Sequence, residues 1–130
     1  MRSVFTLALC LTACAPSLPE ADEAADRGIR AVWATLQDAV RTGDAEALAA
    51  LEDPEADAGV AEAVMEAAAS WPQVREAILE TRAFDLTRYV DGRYAFVYTP
   101  PDGPQPDGFE ITFREDADGR VYLTTATYIG

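Results

Sequence analysis

The residue types that carry out most hydrolytic and metal chemistry are scarce in this chain of 130 residues. The sequence contains no histidine and only two cysteines, Cys10 and Cys14. A Ser-His-Asp or Cys-His arrangement therefore cannot form, and the usual nitrogen and sulfur ligands of a zinc site are missing. Carboxylate, tyrosine and arginine chemistry remains. We assign no catalytic residue, and we expect neither a metal nor a cofactor.

A group of aromatic residues around Asp91-Gly92 is the first candidate for a binding site. This dipeptide, flanked by segments rich in aromatic and β-branched residues, is a strong hairpin signal. A two-residue turn pairs Tyr89 with Tyr94 and Val90 with Arg93. The aromatic residues on one face of the sheet are then Tyr89, Tyr94, Phe96 and Tyr98. The residues on the other face are Leu86, Val90, Ala95 and Val97, so both faces are apolar.

The aromatic face allows two interpretations. In the first, its four rings line a pocket with Trp33 or Trp71 and bind a small apolar ligand. In the second, the rings pack in the core and the tyrosine hydroxyls reach its rim. Asp85 belongs to the same predicted face, beside the tyrosines. Only the first interpretation requires a cavity next to the rings.

Cys14 follows a segment that is typical of an exported protein. Arg2 supplies a positive charge, and an apolar run over residues 4–11 follows it. The run is shorter than the roughly 20 apolar residues that span a bilayer. The next residues, Leu11-Thr12-Ala13-Cys14, resemble the lipobox of bacterial lipoproteins, in which an aliphatic residue and two small ones precede cysteine. The resemblance implies cleavage between Ala13 and Cys14 and attachment of lipid to the Cys14 thiol.

The lipobox resemblance also implies a location. Two or more acyl chains on Cys14 would hold the protein stably on a membrane. Ala15 is not the aspartate that retains enteric lipoproteins at the inner membrane, so the resemblance favours the outer membrane, facing the periplasm. With Cys10 removed and Cys14 lipidated, the mature chain has no disulfide. We divide the chain into a signal peptide (1–13), a lipidated cysteine with a tether that becomes helical toward its end (14–26), and one domain (27–130).

The charge of the chain restricts its partners. It carries 23 acidic residues against 10 basic ones, all arginine, for a net charge of −13. Such a surface repels phosphate backbones, so we expect no nucleic acid partner. It also repels anionic headgroups, which leaves membrane attachment to the lipid alone.

The spacing of apolar residues along the chain predicts the helices and strands that position these candidate residues. Apolar residues at helical spacing predict a first helix, and its stripe is Ile29, Val32, Trp33, Leu36 and Val40. Gly43-Asp44 ends that helix and caps a short second one, which Asp53-Pro54 breaks. Two further helices follow, the last with a capping box from Ser70 to Gln73. Four strands joined by turns come after Arg82. The sequence therefore predicts an α+β fold, with helices on one face of an antiparallel meander.

Two segments give the domain a family resemblance. They are "WATLQDAVRTGDAEALAAL", from Trp33 to Leu51, and the final "GRVYLTTATYI". Together they resemble the NTF2-like superfamily of conical α+β domains. Isomerases of that superfamily use an aspartate base and a tyrosine donor in an apolar pocket. No residue of this chain matches their catalytic motif one by one, so no role is transferred.

The sequence therefore predicts a membrane-anchored envelope lipoprotein that acts as a non-catalytic binding module. Its ligand is either a small apolar molecule or another envelope protein. The alternatives are an accessory subunit of an envelope complex and, in last place, a carboxylate- and tyrosine-dependent enzyme. The proline-rich segment 99–110 is a candidate contact for a protein partner.

Overall fold

The computed structural model describes residues 18–101 and 108–129. The helices are α1 (Leu18–Thr42), α2 (Ala45–Ala49), α3 (Val60–Ser70) and α4 (Pro72–Glu80). A 3-10 turn (Ala83–Asp85) leads into β1 (Thr87–Arg88), β2 (Arg93–Tyr98), β3 (Gly108–Glu115) and β4 (Val121–Ile129). The strands form one antiparallel sheet in the order β1-β2-β3-β4. The predicted α+β class, with helices before a four-stranded meander, is confirmed.

The amphipathic pattern of α1 decides how the helix packs. Its buried stripe consists of Ile29, Trp33, Leu36 and Val40. The helix ends at Thr42 because Gly43 adopts a left-handed conformation, with φ of +76°, that favours glycine. The Asp44 carboxylate then accepts a hydrogen bond from the Ala47 N–H at 3.1 Å and caps α2.

The core lies between the helices and the inner face of the sheet. The buried side chains of that face are Tyr94, Phe96, Phe109, Ile111, Phe113, Val121 and Leu123. Trp33 packs against Phe96 and Phe113, with ring centroids 5.4 and 6.0 Å apart. Its indole Nε1–H donates to the Thr81 carbonyl at 2.8 Å, which joins α1 to the end of α4. Trp33 thus connects α1 to both the sheet and the end of α4.

The β1–β2 turn differs from the predicted one. Arg88 pairs with Tyr94, and the Tyr89 N–H donates to the Arg93 carbonyl at 2.9 Å. The turn is one residue longer than expected and ends at Gly92, whose φ is +84°. Because a shift of one residue moves a side chain to the other face, Tyr89 leaves the aromatic face and is 40% exposed. The prediction that Tyr89 shares a face with Tyr94 is wrong.

The predicted second apolar face is right for two of its four residues. Ala95 and Val97 lie on the outer face, where they are 1% and 45% exposed. Leu86 is instead buried in the core, and Val90 lies fully exposed in the turn. In the part of the chain that the structure describes, the helices pack on the inner face of the sheet.

Two local predictions fail for reasons of hydrogen bonding. The segment expected to form the first strand starts as the 3-10 turn Ala83–Asp85, so β1 is reduced to Thr87–Arg88. The capping box does not form, because the Ser70 hydroxyl donates to the Glu66 carbonyl within its own helix. Trp71 is the N-cap of α4 and provides no side-chain hydrogen bond.

The chain between α2 and α3 runs along the free side of β4. The Leu123 N–H donates to the Leu51 carbonyl, and the Asp53 N–H donates to the Leu123 carbonyl, both at 2.8 Å. This pairing is parallel and centred on Glu52. The Glu52 carboxylate also accepts the Ala61 N–H at 2.8 Å, at the start of α3. Residues 51–53 therefore pair with the free edge of β4 over a short distance.

The predicted lipid attachment lies outside the described residues. Ala13 and Cys14 precede them, so cleavage and lipidation stay predictions. The first helix begins at Leu18, inside the predicted tether segment 14–26. Within residues 18–101 and 108–129, none of the helices combines the length and apolar character needed to cross a bilayer.

Candidate functional site

Most of the predicted pocket residues are core residues. Trp33, Tyr94 and Phe96 are 1%, 6% and 3% exposed. Tyr98 is half-buried at the end of β2, and Tyr89 lies on the opposite face of the sheet. Three cavities of the described residues are lined by other side chains. The five aromatic residues therefore do not surround one common cavity.

Tyr94 and Asp85 have different surroundings. Burial raises the pKa of the Tyr94 phenol, and the nearby carboxylates of Glu115 and Asp26 add to the effect. The phenol lies 3.5 Å from Glu115 Oε1 as a hydrogen-bond donor. Asp85 lies on the exposed 3-10 turn, where Arg82 Nε approaches its carboxylate to 3.0 Å. This arrangement keeps the phenol neutral in the core and the aspartate ion-paired at the surface.

A groove beside β4 is the largest of the three cavities, with a volume of about 480 Å³. One wall is β4 over residues 124–127. The other wall is the loop of residues 55–59 together with the start of α3, where Val60 and Ala63 supply apolar surface. The volume falls within the range of ligand-binding clefts, but the groove is open and elongated along a strand.

Asp53 fixes the loop wall of the groove to the sheet. Arg114 donates two hydrogen bonds to its carboxylate, from Nε at 2.7 Å and from a terminal nitrogen at 2.9 Å. The same carboxylate accepts the Glu55 N–H at 2.9 Å. The Asp53 side chain is 2% exposed. The hydrogen bonds from Arg114 are the main reason why the pKa of Asp53 lies below its ordinary value.

The Asp53–Arg114 pair predicts a pH-dependent stability. Because the folded-state pKa of Asp53 is depressed, its ionised form stabilises the folded state. This contribution is fully present above the unfolded pKa of about 3.9 and is lost as the pH falls through the folded pKa. Urea unfolding should show Asp53→Asn to be less stable than wild type at about pH 7. The difference should shrink below about pH 4.

Asp57→Asn is the matched control for this measurement. Asp57 is an exposed carboxylate in the same loop, and its variant should unfold like wild type at both pH values. A stability difference between wild type and Asp53→Asn that stays constant across this pH range would show that ionisation of Asp53 does not stabilise the fold. The proposed pH dependence would then be wrong.

A second surface feature, the aromatic end, lies where β2 and β4 finish. It consists of Trp71, Tyr98, Phe109 and Tyr128. Trp71 stacks on Tyr128 with the ring planes 15° apart, and Tyr98 meets Trp71 edge-on at 5.3 Å. Tyr128 is 61% exposed, and the adjacent Ile129 is 38% exposed. Tyr128 is thus the ring that the aromatic end presents to solvent, whereas Trp71 and Tyr98 are half-buried and Phe109 is buried.

The groove was not among the sequence predictions, and of the aromatic end only the proximity of Tyr98 to Trp71 was predicted. The groove depends on residues 51–53 lying against β4, and these segments are far apart in the chain. One signal was nevertheless present, because β4 reads "VYLTTATYI" and contains no charged residue. An edge strand of that composition is unusual, since edges are commonly protected by charge or proline.

No protein-family model, curated protein or solved structure matches this chain. The NTF2-like and lipoprotein resemblances therefore remain predictions from the sequence. The case for a function rests on the surface features of the domain and on the segment around Cys14.

Proposed function

We propose that the protein is a lipid-anchored bacterial envelope protein whose domain binds another envelope protein and catalyses no reaction. The proposed anchor is lipid on Cys14, and the proposed location is the outer membrane, facing the periplasm. The observation that carries the binding role is the exposed Tyr128 at the aromatic end, which stacks on the half-buried Trp71 and lies beside Ile129. Neighbouring exposed apolar side chains often mark a protein interaction site.

The chemistry of the aromatic end favours a protein partner. Tyrosine and tryptophan are enriched among the residues that dominate binding energy at interfaces, because each buries a large area with few rotatable bonds. Tyr128 rests on Trp71, which holds it in place before a partner arrives. The small apolar ligand has less support, since Trp33 and Phe96 fill the core that was its predicted pocket.

The charge of the chain indicates what kind of partner fits. A net charge of −13 repels a second copy and attracts a surface rich in lysine or arginine. Electrostatic attraction of this kind accelerates association and excludes partners of the wrong charge. The proposed partner therefore presents a basic surface with apolar positions that cover Tyr128.

Site-specific photo-crosslinking in the bacterium that carries the protein tests this proposal. A photoreactive phenylalanine analogue is placed at position 128, and membranes are isolated after irradiation. We expect one discrete protein adduct, because a ring that contacts a partner lies within bonding distance of it. The adduct is identified by mass spectrometry after digestion.

Position 84 provides the matched control. Phe84 is 76% exposed and lies on the 3-10 turn, outside the aromatic end. The analogue at position 84 should give no adduct of the same mass. The proposal is overturned if position 128 yields no protein adduct, or if both positions yield the same one.

A further inference from the structure

The free side of β4 is an unusually open sheet edge. β4 is the last strand of the sheet, so one of its edges has no neighbouring strand. Among the described residues, the backbone hydrogen bonds on this free edge involve Leu123 alone. Those bonds come from Leu51 and Asp53, in the parallel orientation. The chain itself thus demonstrates that this edge accepts an added strand.

The internal pairing stops after Asp53 because the next backbone groups of the parallel ladder are engaged locally. The Glu55 N–H, which would be the next donor to β4, donates instead to the Asp53 carboxylate at 2.9 Å. The chain turns away after Asp53, and the Ala56 N–H closes the turn on the Asp53 carbonyl at 3.0 Å. β4 continues to Ile129, so its outer backbone groups run on past the point where their partner leaves. The groove of about 480 Å³ begins there, beside residues 124–127.

The side chains around this edge discriminate between possible occupants. β4 lacks the charges and prolines that commonly prevent pairing between edges. It does carry a bulge at Thr124, next to the internal pairing, and residues 125–129 beyond it pair regularly with β3. The opposite wall carries two exposed carboxylates, Asp57 and Glu55, of which Glu55 also lies 3.5 Å from a terminal nitrogen of Arg114. These carboxylates repel another acidic chain, including a second copy of this protein, and attract an extended segment that carries arginine or lysine. Repulsion between these carboxylates thus opposes self-association, a role that charges or prolines within the edge strand commonly have.

We propose that the edge of β4 from Thr124 to Ile129 binds an extended basic segment of another protein as an added parallel strand. Main-chain hydrogen bonds supply the affinity in this mode of recognition, and alternate side chains supply the specificity. The added strand continues the line of residues 51–53, with one row of side chains over Val60 and Ala63. Its basic residues face Glu55 and Asp57, and its end reaches the aromatic end at Tyr128.

This inference rests on the proposed function, because it describes how the partner is held. The test uses the full chain, purified in detergent, and a synthetic peptide of about eight residues in which valine alternates with arginine or threonine. Backbone amide NMR shifts are followed during titration. We expect the largest shifts at residues 124–129. A second peptide, with esters in place of its central amides, keeps the side chains and loses the N–H donors.

The ester peptide should bind at least about tenfold more weakly, since that factor corresponds to roughly one hydrogen bond. On the protein, Ala63→Gln fills the groove from α3 and should weaken binding of the amide peptide by a similar factor. Ala69→Gln, at an exposed position of the same helix, is the control and should bind like wild type.

Three results would overturn strand addition. They are absence of binding, equal binding of the amide and ester peptides, and shifts that map away from β4. Each leaves the proposed function intact if position 128 still crosslinks to a protein, because the partner would then bind through the aromatic end. Peptide binding at β4 without a crosslink at position 128 would support strand addition. It would refute the proposal that the partner contacts the aromatic end.

Discussion

Replacement of Trp33 by alanine is expected to lower the free energy of unfolding by about 3–5 kcal/mol. The side chain is 1% exposed and packs against Phe96 and Phe113 on two different strands. Its removal leaves a cavity where α1 meets the sheet, and the surrounding structure fills such a cavity only in part. Urea unfolding followed by far-ultraviolet circular dichroism measures the loss.

Two further variants identify the cause of this loss. Trp33→Phe keeps an aromatic ring and removes the indole donor, so it should cost about 1–2 kcal/mol. The Thr81 carbonyl keeps a partner in that variant, because Gln37 also donates to it at 2.8 Å. Phe84→Ala, at an exposed ring, should cost less than about 0.5 kcal/mol. A loss near zero for Trp33→Ala would mean that the packing around this residue does not support the fold.

Replacement of Cys14 by serine is expected to prevent both cleavage after Ala13 and acylation. A thioether to diacylglycerol requires the thiol, and a serine hydroxyl does not replace it in the lipoprotein pathway that the lipobox implies. The variant should retain residues 1–13 and carry no acyl groups, whereas the wild-type chain should begin at an acylated Cys14. Intact mass spectrometry of the two purified proteins measures both changes.

Cys10→Ser is the matched control, because this cysteine lies inside the apolar segment that is predicted to be removed. Its mature product should have the same mass as that of wild type. Normal cleavage and membrane attachment of Cys14→Ser would refute the lipid anchor. A stable attachment requires about two acyl chains, so a single added chain on Cys14 would point to weak and reversible membrane binding.

The parts of the fold that depend on local pattern could be predicted. The apolar stripe of α1 and the alternation of Phe109, Ile111 and Phe113 in β3 both describe side chains that are buried. The change from a period near 3.6 to a period of two also located the boundary between helices and sheet. These features follow from hydrophobic burial within one element, which the sequence displays directly.

The register of the first hairpin could not be decided in this way. Asp91-Gly92 fits a two-residue turn, but it also fits a longer turn in which Gly92 takes the left-handed position. The structure has the longer turn, since Tyr89 pairs with Arg93. The choice is made by the core, because Leu86 is buried in this register along with Tyr94. One residue of register decided whether Tyr89 belonged to the predicted pocket.

The groove was harder still to predict. Its two walls come from the loop after α2 and from the last strand, and no local pattern brings them together. The burial of Asp53 could not be predicted either, because an aspartate before proline usually marks an exposed turn. Its bonds with Arg114 become visible only when β3 and that loop are adjacent. Sites of this kind depend on long-range packing.

The pairing of residues 51–53 with Leu123 also sets the order in which the domain becomes stable. During synthesis α1 and α2 leave the ribosome early, but their partners are made last. Trp33 packs against rings of β2 and β3, and Leu51 bonds to β4, so neither contact can form until those strands have been made. Contacts so distant in sequence fold slowly, because the intervening loop must close first. The core of the domain therefore cannot be completed until the final strand has been made.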